Sequence, residues 1–234
     1  MSSPEFASRA ADRDADRLAA ALAASAPTAE TLPLRADLAA LFPWGGLRRG
    51  GTVVVHRSTA LLLALLAEAT GAGSWGAVVG LPRLGVVAAA ELGVQVERLA
   101  LVPAPGAELG AVVAALLDGF DVVAVAAPRV ADALARRLSA RARGRKAVLL
   151  SLGAWPGAEV ELRSEGDRWW GLGSGHGHLR GRTTLVRAGG RGAATRPVQR
   201  FITLQGESIP PALTHSIIEH MFDTSATAEP GGDR

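Results

Sequence analysis

The sequence predicts an α/β protein in which helices cover both faces of a mostly parallel sheet. Short segments rich in valine and leucine alternate with segments of helical character between residues 52 and 152. Strands of a parallel sheet are buried on both faces, and their sequences are therefore almost continuously apolar. Hydrophobic residues make up 48% of the 234 positions and charged residues 20%, which supplies enough apolar surface for one large core. We therefore expect a single folded core with short tails.

The elements of the parallel part are predicted one after another along the chain. The segment TVVVH at 52–56 predicts the first buried strand, and Ser58 is a suitable N-cap for a helix that ends at Gly71. The later strands are predicted at 75–80, 99–102, 121–127 and 146–152, and the later helices at 85–92, 107–118 and 130–143, the last one closed by Gly144. Helical crossovers between successive strands make those strands parallel.

The pattern changes after Gly153. Three segments separated by short glycine-rich turns predict antiparallel strands at one edge of the sheet: 160–163, 168–172 and 179–188. The glycine, arginine and alanine content from Gly189 onward predicts a linker. Beyond that linker, a small strand is predicted at 201–204 and a helix at 209–222.

These elements divide the chain into three parts. Residues 1–31 hold a predicted helix at 7–24 and a linker, residues 32–190 form the core, and residues 191–234 form a C-terminal linker with a partner-binding segment. The N-terminal helix has two interpretations, because it can pack on a second copy of the chain or cap its own core.

Positive charge is concentrated in one region of the chain. Residues 129–200 hold 15 basic and 5 acidic residues, and the tail that follows is acidic. Such a region can neutralise the phosphates of a nucleic acid, or it can be the solvated face of a helix. All but one of the basic residues are arginines, and the only lysine is Lys146. The candidate nucleic-acid contacts are Arg136, Arg137, Arg141, Arg143, Arg145, Lys146, Arg180, Arg182 and Arg187.

Several classes of site are excluded by the residue types. The chain has no cysteine, which excludes disulfides, thiolate metal sites and a cysteine nucleophile. The apolar run at 61–67 is far shorter than the roughly 20 residues that a membrane span needs. The glycine and histidine segment at 171–178 is similar to a dinucleotide fingerprint or a histidine pair, but no helix follows it, and we interpret it as a hairpin turn. We expect neither a metal site nor a membrane span.

The first strand-to-helix turn is where a sheet of this kind binds phosphate. A phosphate loop needs glycines whose N–H groups point at the oxygens and a lysine that reaches the terminal phosphates. The turn here consists of His56, Arg57, Ser58 and Thr59, which include neither glycine nor lysine. We interpret it as a short capped turn, although Arg57 offers a point charge and Ser58 or Thr59 a magnesium ligand. No catalytic residue and no cofactor are expected.

The order of these elements resembles the RecA ATPase core over residues 32–190. The resemblance rests on the collinear segments GGLRRG at 45–50, AELGV at 90–94, LALV at 99–102 and DVVAV at 121–125. Leu81 stands where that family has its catalytic glutamate, and Ala126 where it has the aspartate of the metal shell. The resemblance therefore implies the fold of an ATPase without its catalytic groups.

A short, arginine-rich RecA-like chain without nucleotide chemistry resembles the ImuA-type proteins of actinobacteria, which are accessory proteins of the SOS-induced mutasome. This resemblance implies a partner of the ImuB type, which is a catalytically inactive Y-family polymerase homologue. It also implies indirect cooperation with an error-prone C-family DNA polymerase that performs translesion synthesis. The expected location is the cytoplasm, with association with the nucleoid after DNA damage.

The C-terminal part has its own indication of partner binding. Leu213, Ile217 and Met221 are spaced four residues apart, which predicts an amphipathic helix suited to docking in a groove. The helix can equally fold back on its own domain. The candidate partner contacts are Phe201, Ile202, Leu204, Leu213, Ile217, Ile218, Met221 and Phe222.

The sequence thus favours a non-catalytic RecA-like adaptor in damage-induced mutagenesis. A DNA-binding modulator of recombination is the first alternative, and it would use the basic region. An active ATPase with an unorthodox phosphate loop is the second.

Overall fold

The computed structural model describes residues 30–127, 129–170 and 181–206. In chain order its strands are β1 Thr31–Leu32, β2 Leu47–Arg48, β3 Thr52–His56, β4 Gly76–Val79, β5 Leu99–Val102, β6 Val122–Val125, β7 Val148–Leu152, β8 Val160–Trp170, β9 Gly181–Gly190 and β10 Val198–Gly206. Its helices are α1 Ala36–Ala39, α2 Thr59–Gly71, α3 Val86–Glu91, α4 Leu109–Gly119 and α5 Asp132–Arg145, and short 3-10 turns lie at Val96–Arg98, Gly106–Glu108 and Gly192–Thr195.

Eight strands form one mixed sheet in the order β10-β9-β8-β3-β7-β6-β4-β5. The six strands β8, β3, β7, β6, β4 and β5, taken in their order across the sheet, pair in parallel. The pairs β8–β9 and β9–β10 are antiparallel. Strands β1 and β2 form a separate antiparallel pair. The predicted α/β class, the mostly parallel sheet and its antiparallel edge are therefore confirmed.

Two apolar cores lie on the two faces of the sheet. The first core contains α2, whose leucines Leu61, Leu62, Leu65 and Leu66 are fully buried. They pack with the strand side chains that point to the same face of the sheet. The second core lies under α4 and α5, and includes Val113, Leu117 and Leu138 among its buried side chains. The inner strands β3, β4, β6 and β7 are covered on both faces, and their sequences are almost continuously apolar, whereas the edge strand β5 is only partly buried.

Helix α5 begins and ends two residues later than its sequence predicts. The glycine at position 144 was expected to close it, but the helix continues to Arg145, and Lys146 adopts the left-handed conformation (φ +56°) that ends it. The prediction of Gly144 as the stop is wrong because a glycine is tolerated inside an exposed turn, and the adjacent arginine is held by an acidic residue of α4.

Strand β8 also differs from its prediction. The segments at 160–163 and 168–172 were expected to be two antiparallel strands, whereas Val160–Trp170 is a single strand with an irregular register between Glu165 and Arg168. It pairs in parallel with β3 on one side and antiparallel with β9 on the other. The sheet therefore changes direction at β9 rather than directly after β3.

The prediction of a linker from Gly189 onward is wrong. Gly189 and Gly190 complete β9, and β10 then pairs with β9 along its length. A Cβ atom at Gly190 would lie 2.0 Å from the carbonyl oxygen of Glu159, so a glycine is required there by close packing. The sheet continues to Gly206, past the expected end of the core at residue 190. The predicted helices at 7–24 and 209–222 lie outside the described residues.

None of the helices in the described part of the chain is both long and apolar enough to cross a membrane.

Candidate functional site

The turn between β3 and α2 is short and internally bonded. Ser58 is buried, and its hydroxyl accepts a hydrogen bond from the backbone N–H of Leu61 at 3.2 Å, which caps the helix. Arg57 is exposed and has a positive φ of +56°. The predicted N-cap is confirmed. The Ser58 hydroxyl, which was considered as a magnesium ligand, therefore accepts a hydrogen bond from the helix, and Thr59 is the first helical residue.

His56 is joined to the neighbouring strand by a hydrogen bond. Its Nε2 lies 2.9 Å from Oε2 of Glu161 on β8, and the guanidinium of Arg163 lies 3.2 Å from the same oxygen. The hydrogen bond with His56 is the largest cause of a lowered pKa at Glu161, and charge interactions with His56 and Arg163 add to it against the opposing effect of burial. The end of β3 is therefore occupied by a carboxylate held between two basic groups.

We expect Glu161→Gln to remove an acid-sensitive contribution to stability of less than about 1 kcal/mol, since the carboxylate is partly solvated. The pKa of Glu161 is lower in the folded protein than its ordinary value of 4.5. Its contribution is therefore complete above about pH 5, and it is lost as the pH falls through the lowered pKa. Urea denaturation midpoints at neutral and acid pH measure the difference.

Glu108 provides the control for this prediction. It is exposed and has no ion-pair partner among the described residues, so Glu108→Gln should leave the acid dependence unchanged. If Glu161→Gln lost as much stability on acidification as the native chain does, the ion pair would not be the cause.

A cleft with an arginine-rich lining lies beside this ion pair. Its volume is about 370 Å³, and Glu161, Arg163, Arg187 and Arg191 contribute to its wall. Arg163 and Arg187 are directly opposed across β8 and β9, where like charges repel. Each has a carboxylate partner, because Glu165 lies 3.1 Å from Arg187 and Glu161 lies 3.2 Å from Arg163. The paired arginines are thereby neutralised within the protein.

Apolar side chains occupy the two positions for which the resemblance to RecA implies acidic groups. Leu81 follows β4 and packs against the first core. Ala126 follows β6, and its N–H donates to the carbonyl of Val79 at 2.8 Å. Asp121 lies at the opposite end of β6, where it accepts from the N–H of Trp75 at 3.0 Å and pairs with Arg49. In the described ranges, no three histidine, aspartate or glutamate side chains are grouped so that they could hold a metal ion.

The structure separates the candidate nucleic-acid contacts into two groups. Arg141 and Arg145 both bind Asp118, Arg182 binds Asp167 and stacks on Trp169 with 5.4 Å to the ring centroid, and Arg187 binds Glu165. The pKa of Asp118 is lowered, chiefly by its hydrogen bond with Arg141. The other exposed cations have no ion-pair partner among the described residues: Arg136, Arg137, Arg143 and Lys146. Arg180 lies outside the described residues.

The candidate partner contacts are separated as well. Ile202 and Leu204 have exposed fractions of 0% and 1% and belong to the first core, so their assignment as partner contacts is wrong. The reason is that β10 is a strand of the sheet and directs alternate side chains inward. Phe201, which precedes them on β10, is half-buried. The remaining candidates lie outside the described residues: Leu213, Ile217, Ile218, Met221 and Phe222.

Residues 40–157 match the model of a protein family described as the MT3502 N-terminal domain. The match covers half of the chain. The chain belongs to the MT3502 N-terminal domain family. A protein of Mycobacterium tuberculosis (strain ATCC 25618 / H37Rv), named Uncharacterized protein Rv3395c, is 41% identical over 116 residues. That similarity covers 48% of this chain and 57% of the relative, so the chain spans a little over half the length of this curated relative.

The part that matches the MT3502 N-terminal domain contains β2 to β7 and α2 to α5. It therefore includes the capped turn at Ser58, both apolar positions Leu81 and Ala126, and the whole of the basic helix α5. Strands β8, β9 and β10 lie beyond the matched residues.

Sequence reasoning missed the ion pairs of β8 in this MT3502 N-terminal domain protein. The signal available was the alternation of acidic and basic residues in VELRSEGDR at 160–168, which is typical of one solvated strand face. It could show that Glu161 and Arg163 share a face, but not that His56 of β3 lies beside them.

Proposed function

We propose that this chain is a non-catalytic adaptor of RecA-like fold that acts in SOS-induced, error-prone translesion DNA synthesis. In this role it docks an ImuB-type partner, an inactive Y-family polymerase homologue, and thereby supports an error-prone C-family polymerase indirectly. The observation that carries the proposal is the closed turn after β3, where Ser58 caps α2 with its own hydroxyl.

The other strand ends support the same interpretation. The positions of the catalytic and metal-shell acids are held by Leu81 and Ala126, and backbone hydrogen bonds link the chain at this edge. Gly80 donates to the carbonyl of Val102 at 2.9 Å, and Gly153 donates to the carbonyl of Val55 at 3.0 Å. Phosphoryl transfer needs positioned charges around the phosphates and the metal ion, and the ends of β4 and β6 offer apolar side chains and already bonded backbone groups.

A protein that retains a RecA-like sheet without those groups is suited to binding other macromolecules. The unassigned part of the candidate partner surface is Phe201 together with the amphipathic segment at 209–222. Phe201 lies in the middle of β10, the edge strand, five residues before that strand ends at Gly206. We therefore place partner docking on the C-terminal segment with Phe201 at its base.

Deletion of residues 207–234 should abolish capture of an ImuB-type partner while the core stays folded. The deletion begins at 207 because β10 extends to Gly206, and a cut at residue 201 would remove buried core side chains. Capture is measured by pull-down with the purified partner, and folding by circular dichroism and thermal unfolding.

A point variant separates the apolar stripe from the segment as a whole. The triple substitution of Leu213, Ile217 and Met221 by serine should abolish capture, whereas Glu219→Gln on the same predicted helix should leave it intact. Retained capture by the triple variant would refute this docking site. Micromolar affinity for ATP, measured by calorimetric titration of the full chain, would contradict the non-catalytic adaptor itself.

A further inference from the structure

Helix α5 carries cations on two flanks that differ in how they are neutralised. Arg141 and Arg145 lie one turn apart on the flank that faces α4, and both bind the carboxylate of Asp118. Arg145 Nε is 2.9 Å from Asp118 Oδ1. These two arginines therefore share an acidic partner inside the protein, whereas Arg137 on the same flank has none among the described residues.

The opposite flank has no such acidic partner among the described residues. Arg136 and Arg143 are seven residues apart, which places them on one stripe about 10 Å long. The stripe adjoins the turn before β3, because a Cβ atom at Gly50 would lie 3.0 Å from the Cα atom of Arg143. Arg48, two residues earlier, stacks on Trp44, and its only acidic neighbour in the described ranges is Glu159 at 3.8 Å.

Lys146 extends this stripe at an energetic cost. It is exposed and has a φ of +56°, a conformation in which a glycine would be less strained. Its N–H donates to the carbonyls that end α5, an interaction of the backbone that any residue can make. Glycine would end the helix with less backbone strain, whereas Lys146 adds a positive charge at the C-terminal end of α5, three residues after Arg143.

From this arrangement we infer that Arg48, Arg136, Arg143 and Lys146 form a binding patch for the phosphate backbone of duplex DNA. We name it the amino-edge patch, since it lies where β3 and β7 begin. This activity goes beyond the adaptor role and does not depend on the partner. The contacts are to phosphates, so the patch binds duplexes without preference for sequence.

The side chains of the patch favour a duplex over a single strand. Single-strand binding uses aromatic side chains on which bases stack, and α5 contains none. Trp44 is covered by the guanidinium of Arg48 at 5.4 Å from the ring centroid, and Trp155, which donates to Ser139 of α5, is buried. A row of arginine and lysine side chains without aromatic residues for base stacking is suited to the regularly spaced phosphates of a DNA duplex.

The experiment is a salt titration of the full chain with a fluorescent DNA duplex of mixed sequence. The logarithm of the binding constant should fall linearly with the logarithm of salt concentration. Lys146→Gly should make that slope shallower by about 0.9, and Lys146→Gly combined with Arg143→Ala by about 1.8, one increment for each phosphate contact removed. The melting temperature of Lys146→Gly should be equal to or above that of the native chain, since glycine relieves the strained φ.

Arg141→Gln is the matched control. It removes one positive charge from the same helix, but from the flank that Asp118 neutralises, and should leave the salt slope unchanged. An equal loss of slope in Arg141→Gln and Lys146→Gly would show that net charge rather than a defined patch governs binding, and would overturn the proposal.

Two further results would also overturn it. One is absence of duplex binding at low salt. The other is displacement of the duplex by polyglutamate with the same dependence on Lys146 and Arg143, which would assign the patch to an acidic protein. Because these variants leave residues 207–234 intact, capture of the polymerase homologue is measured separately, and either proposal can fail without the other.

Discussion

Ile202→Ala is expected to lower the free energy of unfolding by about 2–5 kcal/mol. Ile202 has no exposed surface and lies on β10 within the first core, where it is enclosed together with Leu204 and Val186. Truncation removes three carbon atoms from a packed interior and leaves a cavity that the rigid sheet cannot close. Denaturant unfolding at neutral pH, followed by circular dichroism, measures the change.

Phe201→Ala is the matched comparison, because Phe201 is the preceding residue on the same strand and is only half-buried. Its truncation should cost clearly less stability than that of Ile202, and under the proposed docking it should weaken partner capture. A change below about 0.5 kcal/mol for Ile202→Ala would mean that β10 is not a structural strand of the sheet.

The parallel part of the sheet was accessible from the sequence because its signals are local. The strand predicted at 52–56 coincides with Thr52–His56, and the helix capped by Ser58 and closed near Gly71 coincides with Thr59–Gly71. A run of β-branched residues, a hydroxyl N-cap and a closing glycine each act within a few residues of one another. No knowledge of distant segments is needed to place such elements.

The antiparallel edge was harder to predict from the sequence, because a glycine can mark either a flexible linker or a strand position where two backbones approach closely. Gly189 and Gly190 were interpreted as flexible, but Gly190 is a strand residue whose hydrogen atom faces the carbonyl of Glu159. The contact partner is about thirty residues earlier in the chain. Only the pairing of β8 with β9 shows that the glycine permits a close approach.

In the candidate sites, too, features set by local sequence could be predicted, and contacts between distant segments could not. The apolar residues at Leu81 and Ala126 could be located from the order of the strands alone. His56 and Glu161 are 105 positions apart, and Asp118 and Arg141 are 23 apart, so neither contact can be predicted from local sequence patterns. Charge counts identified the basic region, but only the packing of α4 on α5 shows which of its arginines are already neutralised.

Gly80→Ala is expected to lower the free energy of unfolding by about 2–5 kcal/mol, as the sum of backbone strain and overpacking. Gly80 directly follows β4 with a φ of +82°, and an added Cβ atom would lie 2.1 Å from the carbonyl oxygen of Ala126. The backbone of Ala126 cannot move away freely, since its N–H is bonded to Val79. The methyl group therefore has to separate β4 from β6 at the edge where a nucleotide would otherwise bind.

Gly73→Ala isolates the strain from the collision. Gly73 has a φ of +98°, but a Cβ atom there would have no neighbour within 4 Å, so its substitution should cost only about 1–2 kcal/mol. Denaturant midpoints of the two variants, compared with the native chain, give the difference that belongs to the contact with Ala126. If the two substitutions cost the same, the strand ends at β4 and β6 would be far enough apart to admit a side chain, and the closed edge on which the adaptor role depends would be open.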